Sequence, residues 1–434
     1  MARLRLRMVS VAVAGTLLLA ACGSTSGAGG TGGSGGGSST ATGSLVFGVF
    51  NPFSGADASF GPEQNAGCVP AAQAITAAGG ILGHKTVSCI VADSRGDPAD
   101  AVPAAEQLIA SHSNLVGLLG PSSDEAAATV PLFNRAHIPM FGDTGQALFN
   151  KSTSKYFWRI TPPDDAVGLA MALYAHRQGY TRAAGVFGTD ISSQGTAPTV
   201  ESGYQKSGGT LTAVKNVALG QPSYRSEVTA LAAGHPQALF IEADPQTSAT
   251  ILSEFTQLYH GIPIVGTDGT TQPPWQKAVT QAIGQATMTK YYRGAQPFAP
   301  TSGAAHTIWL QQLHGAAAKV SHPISQWEND SFAEAAWDSV NLMALAMEMA
   351  HSTTPSVYNP YITKVANGGP GATVVHSFAA GKAAILAHKA ITYAGATGPI
   401  TFDQYQNSPG AFEIVRADGS TITTYTSKNL QGLG

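Results

Sequence analysis

Between residues 115 and 130 the chain reads Leu-Val-Gly-Leu-Leu-Gly-Pro-Ser-Ser-Asp-Glu-Ala-Ala-Ala-Thr-Val, an apolar run that turns at Gly-Pro and continues into an alanine-rich segment. The run suits a strand buried on both faces, and Ser122, Ser123 and Asp124 suit the start of a helix. This constrains the fold, because a strand that feeds directly into a helix returns as a parallel neighbour. It also aims the free N–H groups of the helix at the strand's carboxyl end, where open α/β sheets bind ligands and a carboxylate or phosphate is favoured. From these residues alone the serines have two roles open, helix cap or ligand contact.

The same unit recurs along the chain. Strands expected at 45–50, 87–92, 115–119 and 138–141 alternate with helices, the first carrying Ala72, Ile75 and Ala78 with Pro70 bending it near its start, the second covering 102–110. Residues 157–163 hold two prolines and no periodicity, which suits a crossing between lobes. Alternation resumes with a helix at 166–178, a strand at 183–187, a loop at 188–194, and a helix from Gly195. Strands at 210–216, 238–241 and 262–265 follow, with helices at 224–232 and 246–259. Beyond these come long helices at 302–317 and 328–350, loops at 355–360 and 368–373, and a helix at 377–393. A hairpin is expected from 395–403 and 412–416. Such alternation predicts an α/β protein with doubly wound parallel sheets. About 390 residues exceed what one core usually serves, so two lobes are expected.

The amino terminus carries Arg3, Arg5 and Arg7 before an apolar run at 8–20, the pattern of a secretory signal over 1–21 that is too short to span a bilayer. Residues 23–43 are almost wholly Gly, Ser, Thr and Ala and behave as a flexible tether. A dinucleotide-type glycine pattern at 27–32 and an elbow-type pattern at 32–36 carry no weight, because neither lies between a strand and a helix. Of the 3 cysteines, Cys68 and Cys89 form an even pair on neighbouring predicted elements of an exported chain, so a disulfide is expected, two buried free thiols being the alternative.

A net charge of −3 and the absence of any basic block beyond the signal argue against nucleic acid. There is no His-Glu-x-x-His, no Cys-x-x-Cys, no glycine-lysine phosphate loop and no serine elbow between residues 45 and 434. Asp93-Ser-Arg-Gly-Asp97 is too short for a calcium loop. No metal, cofactor or catalytic residue is nominated, and a non-enzymatic role is expected.

Several segments match a known family in order and spacing. They are Phe53-Ser-Gly55, Ala77-Ala-Gly-Gly-Ile-Leu-Gly83, Asp93-Ser-Arg-Gly-Asp-Pro98, Gly120-Pro-Ser-Ser123, Ile138-Pro139 through Thr144, Trp158-Arg159 with Pro162-Pro-Asp164, and Gly398-Pro-Ile-Thr-Phe-Asp403. Together they resemble the leucine/isoleucine/valine-binding type of periplasmic solute-binding protein, the receptor component of ABC importers. Leu19-Ala-Ala-Cys22 resembles a bacterial lipobox, and the chain is similar to the lipid-anchored receptors of high-GC Gram-positive bacteria. The resemblance implies acylation of Cys22, with 22–44 forming the anchor and tether on the outer face of the cell membrane. It implies two Rossmann-like lobes joined by three crossovers, lobe one from 45–160 plus 298–393 and lobe two from 161–295 plus 396–434. It further implies a monomer that captures a small polar solute, an amino acid or an amide, and presents it to a membrane permease.

Residue by residue, the resemblance assigns Ser122 or Ser123 to the ligand carboxylate, Gly142 and Thr144 to the same subsite, Phe53 to the wall, and Asp268 to the ligand ammonium. Departures concentrate on the second lobe. Ser193-Gln194-Gly195 stands where an aromatic is expected, Asp190, Ser192 and Gln194 make that wall polar, and Glu242 and Asp244 stand where another aromatic is expected. Asp143 adds a further carboxylate. Such a wall favours a cationic or polyhydroxylated solute, or a short amide, over leucine. A sensory receptor of the same fold and, less favoured, a cell-wall hydrolase are the rival readings.

Overall fold

The computed structural model describes residues 43–55 and 57–430, so the signal segment and Cys22 lie outside the described residues. Strands β1 (Leu45–Asn51), β2 (Val87–Asp93), β3 (Leu115–Ser122), β4 (Met140–Asp143) and β5 (Phe157–Trp158) form one parallel sheet in the order β2-β1-β3-β4-β5. β1 and β3 are buried at every residue, as the unbroken apolar runs require of central parallel strands.

The chain repeats this topology after Trp158. β6 (Arg182–Gly188), β7 (Thr210–Val217), β8 (Ala238–Glu242), β9 (Ile264–Gly266) and β10 (Tyr292–Pro297) pair in parallel in the order β7-β6-β8-β9-β10. In each sheet the chain moves outward from its first strand, then returns to the other side of it. A crevice therefore opens at the carboxyl ends of β1 and β3, and another at those of β6 and β8, which is where doubly wound folds bind ligands.

After β10 the chain rejoins the first sheet. The helix Ser331–Ala350, buried along nearly its whole length, packs beside the helix Phe60–Ala77. Contact is close because Gly67 faces it: a Cβ there would stand 2.2 Å from the carbonyl oxygen of Ala333. A small sheet of β11 (Thr373–Val375), β12 (Ile391–Gly395) and β13 (Gly398–Pro399) extends this layer. Ile400 and Phe402 still pack in the first core, Phe402 edge-on to Trp158 with centroids 5.0 Å apart. Only then does the chain cross back to supply β14 (Ala411–Val415) and β15 (Thr421–Thr426), antiparallel additions beside β10.

Buried Arg159 ties the first and last crossings together. Its Nε donates to Asn407 Oδ1 at 3.0 Å, Nη1 to the Gln146 carbonyl at 3.2 Å and Nη2 to Asn150 Oδ1 at 2.6 Å, while burial lowers its pKa to about 10. It stays charged at neutral pH and is fully engaged at this hinge.

Several boundaries differ from the sequence expectation. The first helix begins at Phe60, so Pro70 lies mid-helix and not near its start. The helix expected from Gly195 starts at Ile191, because Asp190 accepts the Ser193 N–H at 2.7 Å and caps it. The helix expected over 377–393 ends at Leu386, where His388 turns left-handed at φ 55° and frees Ile391 to pair with Thr373. Within the loop expected at 355–360, residues 355–358 form a short helix, and a second one covers 361–367. The expected hairpin of 395–403 with 412–416 is absent: β13 pairs with β12, and β14 turns through Asp418 and Gly419 into β15.

Cys68 and Cys89 are joined, linking the first helix to β2. Their separation of 21 residues gives about 3 kcal/mol in the chain-entropy view. Neither thiol is expected to react with maleimide in the intact oxidised protein, and Cys89→Ser is expected to lower the denaturant midpoint in urea unfolding.

Candidate functional site

The carboxyl ends of the two sheets carry short polar loops that converge between the lobes. From the first sheet come Asp57 after β1, the Ser122–Asp124 turn after β3, and Asp143 and Thr144 at the end of β4. From the second come Asp190 after β6, Glu242 at the end of β8 with Asp244 following, and Asp268 after β9. Asp57, Asp124, Asp190, Glu242 and Asp244 line one cavity with Gln272, so both lobes contribute. The lobes also touch directly, the Ser192 N–H donating to Asp124 Oδ1 at 3.2 Å.

The serine turn is a helix cap. Ser122 donates its backbone N–H to Glu125 Oε1 at 3.1 Å and its hydroxyl to Glu125 Oε2 at 2.8 Å, and Ser94 donates to the same carboxylate at 2.9 Å. Ser122 is thus buried and engaged, leaving no free hydroxyl for a ligand. Ser123 and Thr144 hydrogen-bond each other at 2.9 Å, and Thr144 accepts the Gln146 N–H at 3.2 Å. A Cβ on Gly142 would stand 2.4 Å from the Phe157 ring, so its missing side chain serves packing on β5. The Phe53 ring lies against Gly61 and the first core.

Gln194 departs from expectation. Its amide donates to the Gly188 carbonyl at 2.6 Å and to Asn216 Oδ1 at 3.1 Å, because the earlier helix start turns it toward the ends of β6 and β7. It braces those strands and lines none of the described cavities.

Four carboxyls that the sequence reading did not single out join the site. Glu63, on the first turn of the Phe60–Ala77 helix, is fully buried, and neither of its oxygens meets a hydrogen-bond donor in direct geometry. Asp330 caps the Ser331–Ala350 helix through the Phe332 and Ala333 N–H groups at 3.0 and 2.9 Å. Asp57 lines the same cavity as Asp124, whose charge helps raise its pKa. Asp164, at the first crossing, is wedged between Gly145 and Gly195: a Cβ would stand 1.8 Å from its carboxyl at Gly145 and 2.7 Å at Gly195. A Pro-Pro-Asp-Asp crossing and an Asp ahead of an apolar helix were the available signals; Glu63 had none, since a glutamate in a first helical turn is ordinarily a solvated dipole partner.

The electrostatic consequence is uniform. Burial, then neighbouring carboxylates, hold the pKa values of Glu63, Asp143 and Glu242 well above the carboxylate range. Burial followed by Asp124 pushes Asp57 up to about 8, and burial followed by Asp268 pushes Asp164 to about 8. Burial alone raises Asp268 and Asp330 to about 6 against their backbone hydrogen bonds. Among the described residues none of these acids is in an ion pair, and no Lys, Arg or His lines the cavity. Groups of His, Cys, Asp and Glu arranged to hold a metal are absent among the described residues.

Residues 44–420 match the family described as "Periplasmic binding protein", and the chain belongs to that family. It is 28% identical over 206 residues to an amino acid binding protein of Pseudomonas aeruginosa, covering 46% of this chain and 54% of that one, so it spans about half of that relative's length. In structure it is similar to the leucine-binding protein LivK of Thermotoga maritima, with a TM-score of 0.71 at 17% identity over 89% of this chain and 99% of that one. The isoleucine complex of LivJ from Streptococcus pneumoniae gives a TM-score of 0.70 at 19% identity, covering 88% and 99%. A solute-binding protein of R. palustris in complex with benzoate gives 0.68 at 16%, covering 88% and 95%. These likenesses establish the two-lobed α/β fold.

An acid whose pKa folding raises holds its proton more tightly folded than unfolded. Its contribution therefore falls as pH climbs from the unfolded value, about 4, through the folded one. The ligand-free protein is expected to lose thermal stability between pH 5 and pH 8 in scanning calorimetry. Glu63→Gln is expected to raise Tm at pH 8 and change it little at pH 5; equal Tm shifts at both pH values would contradict the assignment.

Proposed function

We propose that this protein is an extracytoplasmic solute receptor of an ABC import system, capturing a small polar solute that carries an amino group, of amino-acid or amide type, in the cleft between its lobes. The observation that carries this reading is a cavity between the lobes lined by carboxylates of both, in which Asp190, Glu242 and Asp244 each leave a buried oxygen without a donor, at the strand ends of a periplasmic-binding-protein fold. An ammonium group supplies three donors, and a positive charge that no side chain lining this cavity carries. A lone anion such as the benzoate of the R. palustris complex is opposed by the same carboxyls. The solute is released to a membrane permease, and the protein acts as a monomeric, non-enzymatic carrier held at the membrane by acylated Cys22.

Closure must be driven by contacts that exist only when both lobes face the ligand, so Asp190, Glu242 and Asp268 on the second lobe couple binding to closure, completing the subsite begun by Asp143, Ser123 and Thr144. Asp268→Ala is expected to weaken binding of an aminated solute by at least about tenfold, or 1.4 kcal/mol, in titration calorimetry; unchanged affinity removes Asp268 from the site. Cys22→Ser is expected to move the protein from the membrane fraction to the medium on cell fractionation, whereas unchanged partitioning argues against the anchor.

A further inference from the structure

We propose that the cleft is built for a linear solute bearing two or more ammonium groups, an aliphatic oligoamine, in preference to a zwitterionic amino acid. The inference deepens the receptor reading and rests on it.

Helix N-termini at the sheet ends are the natural anion sites of this fold. Here the chain's own carboxylates cap or crowd them. Asp190 caps Ile191–Lys206 with Asp124 accepting the Ser192 N–H, Asp244 caps Pro245–Leu258 and Asp330 caps Ser331–Ala350, while Glu125 accepts the Ser122 N–H just ahead of the Ser123–Arg135 helix. A ligand carboxylate at any of these termini would meet negative neighbours.

Acceptors are in surplus. Fully buried Glu63 has the Gln272 side chain nearby but neither oxygen in full hydrogen-bond geometry, and buried Asp143 and Glu242, near Gln64 and Thr196, each leave one oxygen without a donor. Asp190 and Asp244 use one oxygen as a cap and leave the other free. Buried polar atoms in folded proteins are otherwise almost always satisfied, so these acceptors point to donors brought by a ligand.

The acids fall in two places. Asp57, Asp124, Asp190, Glu242 and Asp244 line one cavity, and Asp330 lines a second, close enough to Glu63 for its charge to raise the Glu63 pKa. Two acidic centres in one cleft ask for two separated cations. Gln272 lines both the cavity holding the first centre and a wider one of about 460 Å³ whose wall carries Asp330, Glu413 and Asp418, which gives an extended path. Phe60 and Trp275 line the first cavity and offer faces for methylene groups and for cation–π contact.

The test is titration calorimetry at pH 8 of the full-length protein with spermidine, putrescine, n-butylamine, leucine and benzoate. Putrescine or spermidine is expected to bind at least tenfold more tightly than n-butylamine and leucine. Glu63→Gln, in one centre, and Asp124→Asn, in the other, are each expected to weaken putrescine binding at least tenfold; circular dichroism and Tm confirm that each near-isosteric variant is folded. If n-butylamine matches putrescine, or if the folded variants bind putrescine as the wild type does, the proposal is overturned. Binding of leucine or benzoate without the amines overturns it and leaves the receptor reading standing. Silence toward all five solutes, with no co-purified small molecule in native mass spectrometry, removes both.

Discussion

The contact on which the rest depends is the close approach of the Phe60–Ala77 helix to the Ser331–Ala350 helix at Gly67. It joins two stretches of chain separated by all the parallel strands of the second sheet into one core, in which Phe47, Trp158, Trp309 and Trp337 pack together. A side chain at Gly67 would meet backbone atoms, which cannot move aside as a flexible side chain can. The same packing sets the site, because Glu63 lies one helical turn before Gly67 and Asp330 caps the partner helix. Two acids distant in sequence thereby become neighbours.

Like charges in a dry cleft are unfavourable, and the protein manages them in two ways. Protonation is one, as the raised pKa values express; the other is donation from helix N-termini, which satisfies one oxygen of each capping acid. Neither removes the repulsion that appears when the remaining carboxyls ionise. The lobes are nevertheless held in contact by Asp124 and Ser192, with Arg159 fixing the hinge behind them. A cation entering this cleft would relieve repulsion on both walls at once, so closure and charge neutralisation become the same event.

Most of the fold was legible because central parallel strands announce themselves: 45–50, 115–119 and 238–241 are uninterrupted apolar runs flanked by turn residues. The missed boundaries have two causes, an unread local cap at Asp190 and pairing with partners remote in sequence. Residues 391–393 read as the end of a helix from their neighbours, but they extend when Thr373–Val375 lies beside them. In the site, residues at strand ends were readable because topology sends them to the cleft, which is why Asp143, Asp190, Glu242 and Asp268 were nominated. Gln194 followed the same logic and failed, since an aspartate cap four residues earlier rotated it away. Glu63 and Asp330 reach the cleft from helices, and only the assembled layer reveals them.

The interrupted first lobe has a consequence for how the molecule is made. β1 to β5 are the first strands to leave the ribosome, yet one face of their sheet is covered by residues 309–402. The parallel strands β6 to β10, by contrast, lie in one continuous stretch and can pair as soon as they emerge. The strands begun first are therefore covered late, after about 150 further residues have been made.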